Sequence, residues 1–258
     1  MDLVINGRPF ESDSENAVGA IPDDAMRPGG RYEVQGFLLN TTGKTYLRVY
    51  ISHIYDPDRL YFQLMENQYS LNTMMDRLQS FYPSDKSRFY RISSEDLIIG
   101  LPVAAIYETS DGPIWHRGFI TDVSTDRNSA EVFYVDYGSK VFQPLKNLRM
   151  MRRKFMAILA QAVRAKLANV KKPDGLKEWP KETTNAMISF SEDYPLICEV
   201  VGCEQNCFVV NVCDTHLPNR DIYLHHLLVN FGLAQYSATL AAPFSLDDLD
   251  NRCNLNIS

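Results

Sequence analysis

The fold of this chain is decided by three short apolar runs, VAAIY at 103–107, WHRGFI at 115–120 and VFYVDYG at 132–138. Aromatic and β-branched residues recur in these runs, and the segments between them carry Asp, Gly, Ser and Pro. Such a pattern is typical of closely spaced strands in a small antiparallel barrel. We therefore predict a barrel whose strands bring several aromatic rings close together.

Further strands and a helix are predicted before this barrel. Alternation predicts a strand at 32–39, and apolar runs at 46–54 and 60–64 predict a β-hairpin that turns through DPD at 56–58. Apolar residues then repeat at spacings of three and four, which predicts an amphipathic helix that ends at Pro83. The stripe of this helix is Leu71, Met74, Met75, Leu78, Phe81 and Tyr82.

The chain after the barrel alternates between helical and strand patterns. Helical spacing runs from Phe155 to Ala162 and strand alternation from Val163 to Leu167, and periodicity leaves the boundary between them open. A helix is predicted at 179–190 and a second hairpin at 196–203 and 207–213. A last helix at 222–228 precedes a stop at Gly232.

The strands on either side of the barrel are too short to bury a core separately. We therefore expect them to pair with each other across the barrel and to form one composite unit. The predicted organisation is a loose leader at 1–30, a first flank with a linker helix at 31–96, the barrel at 97–150, a second flank at 151–240 and a tail at 241–258.

Composition and charge narrow the class of protein. The 258 residues are 45% hydrophobic and 22% charged, which is ordinary for a soluble globular protein. No run has the length of a membrane span, and the first residues lack the pattern of a signal peptide. Five cysteines without a regular framework indicate reduced thiols in the cytosol. A net charge of −6 argues against a general nucleic-acid binder and fits a basic partner.

Several motifs, in order, resemble one family. GLPVAAIY at 100–107, WHRG at 115–118 and VFYVDYGS at 132–139 resemble the core of a Tudor domain. HIYDP at 53–57 with LYFQL at 60–64, and LLVNFGLA at 227–234, resemble the flanks of extended Tudor domains. The resemblance covers roughly 46–236. It implies a mainly β fold with helices, in which a Tudor β-barrel is inserted into a staphylococcal-nuclease-like, OB-type subdomain.

The resemblance also implies a function. Such modules belong to germline scaffold proteins of the piRNA pathway, and they bind methylated arginines in Arg-Gly or Arg-Ala tails of Piwi-class Argonautes. They have no nuclease activity, so the chain is expected to be a non-catalytic adaptor without a cofactor or a small-molecule substrate. The expected location is the cytoplasm, in the perinuclear granules (nuage) of germ cells.

Carried over residue by residue, the resemblance implies an aromatic cage. Ring faces hold a methylated guanidinium by cation–π attraction worth about 0.5 to 2 kcal/mol per ring. His116 stands where the family has a tyrosine, and Ser139 stands where it usually has an asparagine. Unmodified arginine or another peptide contact therefore stays open as the ligand. The expected cage is Tyr107, His116, Tyr134, Tyr137 and Ser139.

Two expectations follow for the geometry and charge of this cage. Tyr134 and Tyr137 have opposite parity, so the chain must bend near Asp136 to bring both rings to one site. If His116 lines the site, its protonation repels the ligand, and affinity is expected to fall as the pH drops through about 6.5.

Two neighbouring positions are expected to have structural roles. Arg117 and Asp136 resemble a family ion pair that braces adjacent strands, and Trp115 is expected in the core.

An alternative function is RNA binding or residual nuclease activity. The segment 146–172 has nine Lys and Arg residues and no acidic residue, which is a pattern of phosphate-binding surfaces. Few aromatic residues are interleaved for base stacking, and the chain as a whole is acidic. A solvated basic face is therefore the favoured interpretation of this segment.

A metal site is not expected. Cys198, Cys203, Cys207, Cys213 and His216 lie close in sequence, but they contain no C-x-x-C pair. Buried small apolar side chains are the default interpretation of these cysteines.

Overall fold

In the computed structural model of the chain, residues 21–34, 45–192, 194–204 and 207–237 are described. The predicted tail at 241–258 lies outside these ranges, as do residues 1–20 of the leader. Four short 3-10 helices occur, at Met65–Asn67, Asp85–Tyr90, Leu145–Asn147 and Arg153–Met156. The strands and α-helices in chain order are β1 (Thr45–Asp56), β2 (Arg59–Leu64), α1 (Gln68–Phe81), β3 (Pro102–Thr109), β4 (Gly112–Val123), β5 (Ser129–Tyr134), β6 (Lys140–Pro144), β7 (Leu148–Met150), β8 (Val163–Leu167), β9 (Val170–Lys171), α2 (Lys181–Ser191), β10 (Leu196–Glu204), β11 (Cys207–Asp214), β12 (Ile222–Tyr223), α3 (Leu224–Asn230) and β13 (Gln235–Tyr236).

The predicted barrel strands form a five-stranded antiparallel sheet. Its order is β6-β5-β4-β3-β7, so each of the three runs that decide the fold pairs with its neighbour in the chain. Alternate residues of β3, β4 and β5 point into a shared apolar core, as the period of two requires. This core contains Val103, Ala105, Ile120, Val132, Tyr134 and Leu148.

The flanking strands form a second sheet, which combines strands from before and after the barrel. Its order is β10-β1-β2-β8-β11-β12, and β8 pairs with β11 in parallel. Helices α2 and α3 pack against this sheet through Ala186, Met187, Leu227 and Leu228. The expectation that the two flanks pair across the barrel is confirmed, and so is the predicted mainly β class.

The last predicted helix begins later than expected. Ile222 and Tyr223 form strand β12, which pairs with β11, and helix α3 starts at Leu224. Short apolar runs do not distinguish a strand from a helix by periodicity alone.

The helical spacing at 155–162 does not correspond to an α-helix in the structure. This segment contains only the end of the 3-10 helix Arg153–Met156, followed by irregular backbone. The carbonyls of Phe155, Ile158 and Leu159 accept hydrogen bonds from the Arg117 guanidinium. These carbonyls therefore bind a buried cation. In an α-helix they would instead accept hydrogen bonds from backbone N–H groups of the same helix.

The part of the leader that the structure describes is not loose. Ala25 is only 2% exposed, and its backbone forms a bridge to Arg152. Asp24 forms an ion pair with Arg152 at 2.6 Å and accepts a hydrogen bond from the Tyr90 hydroxyl. Residues 21–30 thus include a segment docked on the barrel by polar contacts, which hydrophobic periodicity does not detect.

The predicted strand at 32–39 is only partly described. Val34 forms a single parallel bridge to Ala160, and residues 32–34 form no strand. Residues 35–39 lie outside the described ranges.

Helix α1 links the two subdomains and covers the barrel. The predicted stripe is confirmed, since Leu71, Met74 and Leu78 are buried on one side of the helix. Trp115 packs into the same cluster and stacks on Tyr82, with ring centroids 5.3 Å apart. The expectation that Trp115 belongs to the core is confirmed.

The turn after β5 joins the barrel to the first hairpin. Three consecutive carbonyls of this turn, at 136, 137 and 138, accept side-chain hydrogen bonds from β1 and β2. The donors are Gln63 Nε2 at 2.5 Å, Ser52 Oγ at 2.9 Å and the Tyr55 hydroxyl at 3.3 Å. Gly138 has a φ of +90° and packs directly on the Tyr61 ring.

We expect Gly138→Ala to destabilise the chain more than Gly175→Ala. Both glycines have left-handed φ values, +90° and +84°, which cost alanine about 1 to 2 kcal/mol. A Cβ at Gly138 also overlaps the Tyr61 ring, whereas one at Gly175 meets open space. Overlap adds about 1 to 3 kcal/mol, measurable by urea unfolding. Equal losses in the two variants would show that the Tyr61 contact is not tight.

Candidate functional site

Four aromatic side chains meet at one end of the barrel. Tyr107 comes from β3, His116 from β4, Tyr134 from the end of β5 and Tyr137 from the turn that follows. Ring centroids are 5.2 Å apart for Tyr107 and Tyr134, and 4.8 Å apart for His116 and Tyr137. His116 also lies 5.9 Å from Tyr107 and 5.8 Å from Tyr134. The structure therefore brings together all four rings that the sequence predicted.

The rings contact one another edge to face. These four pairs have interplanar angles of 80° to 90°, which is the T-shaped arrangement that aromatic quadrupoles favour. Tyr107, His116 and Tyr134 are mutually close to perpendicular. The three rings form a corner, and no two of them face each other as a parallel pair.

Tyr134 forms the floor of this cluster. It is 1% exposed, its hydroxyl donates to the Ile106 carbonyl at 2.7 Å, and Gln143 Nε2 donates to it at 3.0 Å. Burial holds the pKa of Tyr134 well above its usual value, so the phenol stays neutral. Tyr134 is fixed in the core, and it has little free surface to offer a ligand.

Tyr107 and Tyr137 form the accessible part of the cluster, since both are only partly buried. The expected bend brings Tyr137 to the same site as Tyr134. The backbone N–H groups of Tyr137 and Gly138 both donate to the Tyr134 carbonyl, at 3.1 Å and 2.8 Å. Burial raises the pKa of Tyr137 to about 12, so it is a neutral ring at physiological pH.

His116 is buried between these rings without a polar partner. It is 7% exposed, and neither Nδ1 nor Nε2 has a hydrogen bond within the described part of the chain. Burial lowers the pKa of His116 to about 4, although the charge of Asp136 opposes this shift. The expected titration near pH 6.5 is therefore wrong for the free protein, because desolvation disfavours the imidazolium.

Ser139, the fifth predicted residue, lies beside the cluster, directly before strand β6. It is buried, and its carbonyl accepts a hydrogen bond from the Tyr134 N–H at 2.9 Å. This bond closes the turn that carries Tyr137.

Arg117 and Asp136 lie in contact directly behind the rings. Arg117 Nε and Nη2 donate to the two carboxylate oxygens at 2.9 Å and 2.6 Å, and both side chains are 0% exposed. Burial alone lowers the pKa of Arg117, but the hydrogen bond and charge of Asp136 raise it overall. The remaining guanidinium donors reach the carbonyls of Phe155, Ile158 and Leu159, at 2.8 to 2.9 Å.

Sequence reasoning missed the residues that hold the turn in place, chiefly Gln63, Ser52 and Tyr55. Gln63 is buried although it is polar and lies within the apolar run LYFQL. A lone amide in such a run is the signal that it has a buried hydrogen-bond partner. Ser52 and Tyr55 carry no comparable signal.

The basic segment 146–172 is partly paired with acidic residues. Four of its cations form ion pairs within the described ranges, at 2.6 to 3.1 Å. These pairs are Arg152–Asp24, Lys166–Glu204, Lys171–Asp174 and Lys172–Asp58. Such pairing reduces the positive potential that phosphate binding requires.

Neither a metal cluster nor a membrane span is found in the described ranges. No group of three or more His, Cys, Asp or Glu side chains there is placed to hold a metal ion. Cys198, Cys203, Cys207 and Cys213 are free thiols. None of the helices in those ranges has the length and apolar character to cross a membrane.

Comparison with known proteins identifies the class of the barrel and of the fold around it. The family model of the Tudor domain matches residues 42–169, and the chain thus carries a Tudor domain. The third extended Tudor domain of mouse TDRD1, solved with a MILI peptide containing dimethylarginine, has a TM-score of 0.70 at 18% identity. It covers 81% of this chain and all of that one. The predicted barrel within a staphylococcal-nuclease-like subdomain is confirmed, and the fold is that of an extended Tudor domain.

Other similar proteins include a second extended Tudor domain and two proteins that are much longer than this chain. The extended Tudor domain of Drosophila melanogaster Papi has a TM-score of 0.67 at 23% identity. The match covers 74% of this chain and 99% of the solved Papi chain. RING finger protein 17 of Mus musculus is 29% identical over 75% of this chain. Tudor domain-containing 6-like of Xenopus laevis is 27% identical over 91% of it. The chain spans 12% of the length of each of these last two relatives.

We expect Asp136→Asn to destabilise the chain by about 3 to 5 kcal/mol, because it leaves the buried Arg117 without a counter-charge. A matched control is Glu131→Gln on β5, which breaks the partly exposed pair with Lys140. Exposed pairs contribute about 1 kcal/mol or less. Urea unfolding of both variants measures the difference, and similar losses would contradict a central role for the buried pair.

We expect His116→Phe to reduce the acid sensitivity of folding. The unfolded histidine titrates near about pH 6.5, whereas burial lowers the folded pKa to about 4. The stability that neutral His116 contributes is thus complete above the unfolded pKa and is lost as the pH falls towards 4. Its share of the slope approaches about 1.4 kcal/mol per pH unit. Unfolding free energies of wild type and variant that run parallel between these pH values would contradict this assignment.

Proposed function

We propose that this chain is a non-catalytic peptide-binding module that recognises arginine in an Arg-Gly or Arg-Ala tail of a Piwi-class Argonaute. It acts in piRNA-mediated silencing in the germline cytoplasm, in perinuclear granules. The observation that carries the proposal is the cluster of Tyr107, His116, Tyr134 and Tyr137 on the barrel.

The chemistry of the cluster fits a guanidinium ligand. Tyr107 and Tyr137 present partly exposed rings, whose faces attract cations. Glu108, next to Tyr107, is exposed and close enough to raise the pKa of Tyr134. A carboxylate beside the rings adds attraction for a positively charged tail, as does the net charge of −6.

The carboxylate of Asp136, the residue before Tyr137, has a structural role. Asp136 is held by Arg117 and by the Gln161 N–H, so it is not free to act as a general base. The proposal therefore assigns the site binding without catalysis.

Complexes of similar proteins support the choice of ligand. The TDRD1 domain described above was solved with a MILI peptide that contains dimethylarginine. A variant of the Papi extended Tudor domain with one Asp-to-Ala substitution was solved with Piwi N-terminal peptides in symmetrically dimethylated and unmethylated forms. Both are complexes with arginine-containing peptides, and we propose a ligand of this class for this chain.

A titration with peptide and with RNA tests this function. We expect the 258-residue chain to bind a Gly-Arg-Ala peptide and not the same peptide with lysine for arginine. Tyr137→Ala removes one ring contact and should weaken binding roughly threefold to thirtyfold. Phe142→Ala, which removes an exposed ring from β6, is the matched control and should change little.

Single-stranded RNA provides the opposing outcome. The ion pairs of the basic segment predict weak RNA binding at physiological salt. Tight RNA binding with a steep salt dependence, together with no preference for the arginine peptide, would overturn the proposal in favour of nucleic-acid binding.

A further inference from the structure

The imidazole of His116 is a buried polar group whose hydrogen-bonding capacity is unused. Only four buried side-chain nitrogen or oxygen atoms in the described ranges lack a partner, and two of them are Nδ1 and Nε2 of His116. The others are Arg149 Nε and His225 Nδ1. Unpartnered buried polar atoms are rare because they have lost water without gaining a replacement, so each calls for an explanation.

The surroundings of His116 explain why it finds no partner within the described chain. Its neighbour across the β3–β4 pairing is Ala105, which has no polar side chain. The other three sides are the rings of Tyr107, Tyr134 and Tyr137, whose planes are nearly perpendicular to the imidazole. The hydroxyl of Tyr134 is already bound to Ile106 and Gln143.

The neutral imidazole has one ring nitrogen that accepts a hydrogen bond and one that donates. A guanidinium carries only donors, five N–H groups when it is unmodified. Symmetric dimethylation replaces one N–H on each terminal nitrogen with a methyl group. It therefore removes donors that the imidazole can use, and adds apolar surface that a tyrosine face would bind better.

The close spacing of the rings also favours unmodified arginine over the dimethylated form. The centroids of Tyr107, His116 and Tyr134 are 5.2 to 5.9 Å apart. These rings are close to perpendicular to one another, so a guanidinium must bind against the corner that they form and displace them slightly. The two methyl groups of the dimethylated form add volume that the same corner must also hold, so the unmodified guanidinium needs less displacement of the rings.

We propose that His116 accepts a hydrogen bond from the arginine of the bound peptide and makes the site select arginine that is unmodified over arginine that is symmetrically dimethylated. This inference rests on the proposed function and names its ligand form. His116 is thereby the specificity-determining residue of the site, and Tyr107 and Tyr137 supply the ring contacts that both forms share.

Calorimetric titration of the 258-residue chain with a Gly-Arg-Ala peptide in both forms tests this selectivity. We expect wild type to bind the unmodified form at least threefold more tightly. His116→Phe keeps a ring but removes both nitrogens, and it should weaken binding of the unmodified form about tenfold. Binding of the dimethylated form should change less than about twofold, so the preference inverts.

His116→Tyr is a second variant, since it places a larger and more electron-rich ring at the same position. It should favour the dimethylated form, as His116→Phe does. Nitrogen-15 NMR of wild-type imidazole gives a readout that needs no variant. The unmodified peptide should shift the resonance of the accepting ring nitrogen, and the dimethylated peptide should shift it less.

The outcomes separate this inference from the function on which it rests. If wild type binds neither arginine peptide better than the lysine peptide, the proposed function fails. If wild type binds but prefers the dimethylated form, or if its imidazole resonances respond equally to both forms, only the role of His116 is overturned.

Discussion

The buried pair of Arg117 and Asp136 is the interaction on which the rest of the structure depends. A guanidinium and a carboxylate that are both 0% exposed are stable only if nearly all of their donors and acceptors are used. Here the remaining Arg117 donors bind three carbonyls of the segment after the barrel, and a carboxylate oxygen also accepts the Gln161 N–H. One ion pair thus ties strand β4, the turn after β5 and the chain that returns to the second sheet.

The candidate site is a consequence of this arrangement. Arg117 fixes the side chain of Asp136. The backbone carbonyls of the turn that contains Asp136 accept hydrogen bonds from three side chains of the first hairpin, namely Gln63, Ser52 and Tyr55. The turn then presents Tyr137 next to His116 and Tyr107. Both subdomains therefore determine the position of the ring cluster.

Much of the fold is predictable from sequence because it follows periodicity, but the contacts of buried polar groups are not periodic. Strands β1 to β5, β8, β10 and β11, helix α1 and the ring cluster are predictable from their residues and from the resemblance. The helix expected at 155–162 does not form, because three of its carbonyls bind Arg117. Likewise, the burial that makes Tyr134 a floor and lowers the pKa of His116 to about 4 depends on packing between strands, which no local pattern reveals.

The proposed role of the ring cluster is to hold an arginine side chain. Nuclear Overhauser measurements on the chain in complex with an arginine peptide are a direct test, because cross-peaks arise only between protons that lie close together in space. We expect cross-peaks from the arginine side-chain protons to the rings of Tyr107, His116 and Tyr137. Cross-peaks confined to the 146–172 segment, with none to these rings, would contradict it.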